Sequence, residues 1–218
     1  MMTRVHATDG HELDCWMEAA QGQARFGLVI VQEIFGVTDQ LRDVARAYAA
    51  QGCDVAIPAL FDRQEPGVSI PFDQPERGRT LMQAAKLEET MRDIATAVDA
   101  LKARGHKVAV LGFCWGGGLA LRAAQTLDIA CAVAFYGTRL AQYLDRPLRA
   151  PLLAHFGTRD DHTPPELVEQ VQAYLPEMEV HFYEAGHAFA NEARATYVPE
   201  AATLAHERTR AFLRQHIG

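Results

Sequence analysis

The sequence predicts an α/β fold, a single-domain, doubly wound, mainly parallel sheet with helices on both faces. Three observations predict it. Short, continuous apolar runs such as FGLVIVQ (26–32), KVAVLG (107–112) and IACAVAFY (129–136) suit strands buried on both faces. Between the runs lie segments whose apolar residues recur at helical spacing. The two kinds alternate along all 218 residues without a repeat, linker or low-complexity segment, so one domain over 1–218 is expected.

The elements follow in order. Residues 12–19 alternate as an outer strand does, and 26–32 form the first buried strand. Residues 38–51 read as a helix. Thr38 caps its start, Leu41, Val44, Ala45 and Tyr48 form its stripe, and Gly52 ends it. Residues 54–58 form a short strand. Residues 59–75, rich in Pro, Asp and Gly, read as a surface loop. One long helix is expected from there to about 104. Leu87, Met91, Ile94, Val98 and Leu101 share one face, and Gly105 closes the helix. Then come strand 107–112, helix 115–127, strands 129–136 and 151–156, helix 164–175, strand 178–183 and helix 199–216.

Composition excludes several function classes. Hydrophobic residues make up 49% and charged residues 22%, which is not the balance of a disordered chain. The net charge of −7, with no Lys/Arg block, argues against a nucleic-acid partner. No apolar run approaches the ~18 residues of a membrane span. Asp9, Glu12 and Asp14 stand where a secretory signal would be apolar, so a soluble, cytoplasmic monomer is expected. The four cysteines form no C-x-x-C pair. Cys15, Cys53 and Cys131 lie in or beside apolar segments and read as buried thiols. Neither a metal nor an organic cofactor is expected, since His206-Glu207 runs into Arg208 instead of completing H-E-x-x-H.

In an open sheet of this kind, sites form at the carboxyl ends of strands. Gly112-Phe113-Cys114-Trp115-Gly116 has the G-x-nucleophile-x-G form between a strand and a helix. The flanking glycines leave room for a tight turn that lifts Cys114 above the sheet. The helix amino terminus then favours a thiolate. After the last strand comes Ala185-Gly186-His187-Ala188-Phe189, where a loop can bring an imidazole over that turn. His6, His11, His106, His206 and His216 read instead as solvated or structural. After strand 151–156 comes Gly157-Thr158-Arg159-Asp160-Asp161, and either aspartate can orient the imidazole. The order Cys, Asp, His is that of an α/β-hydrolase triad. Gln32-Glu33-Ile34-Phe35-Gly36 follows the first buried strand. In this fold that loop supplies one oxyanion N–H, assigned to Ile34, and the residue after the nucleophile, Trp115, supplies the other. Glu33 is anomalous beside an oxyanion hole, and the residues alone favour a solvent-facing side chain for it.

These stretches, with PALFDRQEPG (58–67), HFGTRDDHTPPE (155–166), HFYEAGHAFAN (181–191) and LAHERTRAFL (204–213), resemble the dienelactone hydrolase family over nearly the whole chain. The resemblance implies a single-domain α/β-hydrolase with a Cys114–Asp160–His187 triad. It prefers Asp160 over Asp161. It places the family's glutamate on Glu33, which restrains the resting thiol or takes its proton. It puts one substrate-carboxylate arginine on Arg63, while the second falls at Asn191, which carries no charge. Tyr136 is expected as a pocket wall, and Trp115 either narrows the acyl pocket or packs under its helix. The expected activity is hydrolysis of a small carboxylic ester or lactone through a thioester. The alternatives are a general carboxylesterase for neutral esters and a non-catalytic thiol or binding protein on the same fold.

Overall fold

The computed structural model describes residues 1–217. In chain order the strands are β1 (Met2–His6), β2 (Glu12–Glu18), β3 (Phe26–Val31), β4 (Cys53–Pro58), β5 (Val108–Phe113), β6 (Cys131–Phe135), β7 (Leu152–Gly157) and β8 (Glu179–Tyr183). The helices are α1 (Asp39–Ala49), α2 (Pro75–Ala84), α3 (Leu87–Lys102), α4 (Trp115–Thr126), α5 (Pro165–Tyr174) and α6 (Pro199–Ile217), with a 3-10 turn at Leu140–Tyr143. The eight strands form a mostly parallel sheet in the order β1-β2-β4-β3-β5-β6-β7-β8. This is the expected α/β class. The chain divides into two compact units, Met1–Ala109 and Val110 onward.

In the first unit, β3 pairs parallel with β4, and β2 pairs antiparallel with both β4 and β1. β3 is buried along its whole length, as its unbroken apolar run requires. Thr38 caps α1 as expected, its side chain accepting from the Leu41 N–H at 3.2 Å. α3 buries Ile94, Ala97, Val98 and Leu101 and packs on β3 and β4. Gly27 lets it approach, because a Cβ there would lie 3.0 Å from the Leu101 Cβ.

Two expectations need correction in this unit. The long helix before Arg104 is two helices. Ala85 and Lys86 both adopt extended backbone, with ψ of 126° and 130°. The segments bury different surfaces: α2 buries only Gly78, against the Ile34 carbonyl, whereas α3 faces the sheet. Leu87, assigned to the stripe, is exposed at the start of α3. The second correction is β1, a strand not foreseen. Its residues are almost all exposed, so it lacks a buried face to read, and its pairing with β2 defines it.

In the second unit, β6, β7 and β8 pair in parallel. α4 packs on β6, and α6 packs on β6 and β7. His155, in mid-β7, is fully buried, and the His206 ring of α6 lies tilted against the Phe135 ring with centroids 4.8 Å apart. Burial, helped by neighbouring cationic groups, holds the His155 pKa well below 6.5 and brings His206 down to about 4. Both therefore fold neutral. Between pH 6.5 and about 4 the unfolded chain takes up protons that the folded chain refuses, so stability falls with pH. His206 alone accounts for on the order of 2–3 kcal/mol. Thermal midpoints measured across that window are expected to drop, and His206→Gln is expected to shallow the slope. A flat profile would contradict the assignment.

Among the described residues, no helix is long and apolar enough to cross a membrane.

Candidate active site

β5 ends at Phe113 and α4 begins at Trp115, leaving Cys114 alone in the turn with φ 53° and ψ −115°. A non-glycine residue there costs about 1–3 kcal/mol and persists only when its surroundings enforce it. They do so on both sides. The Cys114 N–H donates to the Phe135 carbonyl at 3.0 Å, and the Cys114 carbonyl accepts from Gly117, Gly118 and Thr138. A Cβ on Gly112 would overlap the Gly116 carbonyl, so the first glycine of the motif has no substitute. Gly117 is similarly tight, 2.7 Å from the Gly137 Cα to where its Cβ would stand. Cys114 is partly exposed, while the other three cysteines are buried. Burial pushes the thiols of Cys15, Cys53 and Cys131 up to about 12, which makes them inert.

The loops after β7 and β8 bring an acid and an imidazole together. Asp160 is 2% exposed, and its Oδ1 accepts from the backbone N–H groups of His162 and Thr163 at 2.9 and 3.3 Å. Its Oδ2 lies 2.8 Å from His187 Nδ1. A carboxylate only accepts, so Nδ1 is the donor. Asp161 is exposed, and of the two candidate aspartates Asp160 is the one at His187. His187 is hydrogen-bonded to Cys114 as well. Burial opposes a charge on this imidazole. The bonds to Asp160 and Cys114, with the attraction of both, outweigh burial and raise its pKa to about 10. The three predicted triad residues thus form one hydrogen-bonded series at the carboxyl ends of β5, β7 and β8.

Sequence reasoning missed one neighbour. The His162 ring centroid lies 4.5 Å from that of His187. Its only sequence signal is its place two residues after Asp160. Tyr136 is fully buried with φ 38°, and its ring meets His187 edge-on at 5.2 Å. Trp115 is buried at the start of α4. Asn191 is buried too, with Oδ1 accepting from the Ala193 N–H at 3.0 Å.

The remaining candidates belong to the first unit. Ile34 and Glu33 follow β3, and both are buried. That corrects the solvent-facing reading of Glu33; the loop folds inward because Gln32 beside it is itself buried and accepts from the Leu60 N–H. Arg63 is committed to two carboxylates. It binds Asp93 through Nε at 2.8 Å and Nη2 at 2.7 Å, and Asp9 through Nη1 at 3.0 Å. Asp93 is itself completely buried. Among the described residues, no group of three or more His, Cys, Asp or Glu side chains could hold a metal ion.

Comparison with known proteins places the chain in a family. The model of the dienelactone hydrolase family matches residues 15–217. A carboxymethylenebutenolidase from Pseudomonas putida is 32% identical over 221 residues, covering 96% of this chain and 94% of that protein. Among solved structures, one assigned as a dienelactone hydrolase from Klebsiella pneumoniae superposes with a TM-score of 0.84 at 26% identity, over 99% of this chain and 98% of that one. A dienelactone hydrolase-like promiscuous phosphotriesterase from metagenomic libraries gives 0.81 at 22% identity, covering 100% and 99%, and bears on the fold alone. The family match spans the turn at Cys114, the loops that carry Asp160 and His187, and the closing helix, and the chain therefore belongs to the dienelactone hydrolase family and is a hydrolase of that type.

Proposed function

We propose that this hydrolase cleaves a small carboxylic ester or lactone with Cys114 as the nucleophile. The observation that carries the reading is the hydrogen-bonded series Cys114–His187–Asp160. The Cys114 thiolate attacks the carbonyl carbon, forming the C–S bond and a tetrahedral oxyanion. The Trp115 backbone N–H stabilises that oxyanion, with Ile34 in the second N–H role that the resemblance implies. Glu33 keeps its implied role of restraining the thiol or taking its proton. His187, holding a proton, delivers it to the leaving oxygen as the C–O bond breaks, and a thioester remains. Neutral His187 then takes a proton from water, and the resulting attack releases the acid and restores the thiol. Asp160 stabilises the imidazolium throughout. This chemistry needs no metal or organic cofactor. The whole chain acts as one domain in this reading, as a cytoplasmic monomer.

A second reading, a carboxylesterase for neutral esters, is favoured by Arg63. Two carboxylates already neutralise its guanidinium, one of them buried. A substrate carboxylate would have to compete with both. Asn191 offers no charge in compensation, and a charge-assisted bond is roughly twice as strong as a neutral one. Comparing kcat/KM for a carboxylate-bearing dienelactone with that for uncharged aryl esters separates the two. Neutral esters are expected to be turned over at least as well. A carboxylate preference above about 10-fold, ~1.4 kcal/mol, would return the anchoring role to Arg63. Failure to hydrolyse any ester or lactone would remove both readings.

A further inference from the structure

We propose that the buried pair Tyr183 and His155 positions His187, by fixing the aromatic wall against which the imidazole stands. The inference rests on the reading of His187 as the proton carrier of the reaction.

His155 is the one polar side chain of β7 and is fully buried, a place where an imidazole without partners would be costly. Instead both ring nitrogens are engaged. Nδ1 lies 2.8 Å from the Tyr183 hydroxyl, and Nε2 lies 2.9 Å from the Thr209 hydroxyl. Arg208 Nη1 also donates to the Tyr183 hydroxyl, at 3.1 Å. β7, the end of β8 and α6 are thereby tied at one point. Arg208 can only donate, so the Tyr183 oxygen accepts from it. In the arrangement that completes the series, the Tyr183 hydroxyl gives its own proton to His155 Nδ1. That leaves the proton of the neutral ring on Nε2, facing Thr209. Burial keeps the ring neutral, so the arrangement is stable through the neutral range.

A buried polar network of this kind gives little stability over apolar packing, but it selects one geometry. That geometry leads to the active site. The Tyr183 ring packs on Phe189 at 5.1 Å, Phe189 meets Tyr136 edge-on at 5.5 Å, and Tyr136 meets His187 edge-on at 5.2 Å. His155 also holds the far end of this series, because its carbonyl accepts the Tyr136 N–H at 2.7 Å. Tyr136 sits in the left-handed region, and so does Ala188, between His187 and Phe189. Both need an external constraint to stay there. The physical need is specific. The bond from Asp160 fixes one point of the imidazole, and a ring can still tilt about it. The edge of Tyr136 removes that freedom and keeps Nε2 directed at Cys114.

The test is Tyr183→Phe, which keeps the ring and removes only the hydroxyl. It is expected to lower kcat roughly 10-fold with KM changed less than about twofold, since small misplacements far from the chemistry are costly. The pH at which Cys114 becomes reactive toward iodoacetamide is expected to rise as the pairing with His187 loosens. Thr209→Val, on α6 and away from the reacting atoms, should produce the same pattern more weakly, and it serves if Tyr183→Phe does not fold. A lowered thermal midpoint with unchanged kcat and unchanged alkylation profile in either folded variant would overturn the proposal. Cys114→Ala and His187→Ala are assayed beside them. If those two are inactive and Tyr183→Phe is fully active, only the positioning role fails. If they remain active, the catalytic reading itself fails.

Discussion

Cys114→Ala is expected to bring ester turnover down to background, a loss of at least ~10⁴-fold in kcat, with the fold unchanged. The substitution removes one sulfur from a partly exposed position and leaves every backbone bond of the turn in place. Alanine also accepts the left-handed backbone at no greater strain than cysteine, so loss of activity would not be loss of structure. In the wild type, rapid acid quench with an activated ester is expected to trap the acyl group on Cys114, visible as a mass increase that the alanine variant lacks. Cys15, Cys53 and Cys131 cannot substitute, because burial holds their thiols protonated up to about 12. Cys114→Ser should keep only a small residue of activity, because an alcohol is far harder to ionise than a thiol beside the same imidazole. Unchanged turnover in a clean alanine preparation would exclude the nucleophile.

The elbow was legible in the sequence because its requirements are local. A strand, a small residue, the cysteine, another small residue and a helix start fall within a few positions, and the overlap at Gly112 shows why no larger side chain fits there. The meeting of Cys114, Asp160 and His187 was legible for a similar reason, each residue following a recognisable strand. What could not be read depends on distant partners. Asp160 and Asp161 are neighbours of equal chemistry, left open by the residues themselves and separated only by the family resemblance; in the structure Asp160 Oδ1 turns back to Thr163 while Oδ2 reaches His187, 27 residues on. Arg63 reads as a free cation until Asp9 and Asp93, 54 and 30 residues away, are placed against it. The break between α2 and α3 carries no proline or glycine at Ala85-Lys86. It follows from the two segments burying different surfaces, which a single apolar stripe does not reveal. His155 reads as an ordinary strand residue, and only Tyr183 and Thr209 give its imidazole a purpose.

Asp160→Asn is expected to lower kcat by ~10³–10⁴-fold while Asp161→Asn stays close to wild type. The reason lies in how Asp160 divides its oxygens. Oδ1 accepts two backbone N–H groups, so the remaining carbonyl oxygen of an asparagine must stay there. Its NH₂ group then faces His187 Nδ1, which has to become the acceptor. The proton of the neutral imidazole moves to Nε2, toward Cys114, and the ring can no longer take a proton from thiol or water. The charged form suffers as well. Asp160 is a principal cause of the raised His187 pKa, so that value falls from about 10 toward the ordinary 6.5. The consequence for stability has a definite sign. A raised folded-state pKa stabilises fully below the unfolded value and is lost as pH climbs through the folded one. The wild type should therefore exceed Asp160→Asn in thermal midpoint most at pH 6.5 and below, with the gap closing toward pH 10. The same variant should alkylate more slowly at Cys114 near neutrality, since the imidazolium beside the thiol is depleted. Activity within about 10-fold of wild type, or an equal loss in Asp161→Asn, would take the orienting role away from Asp160.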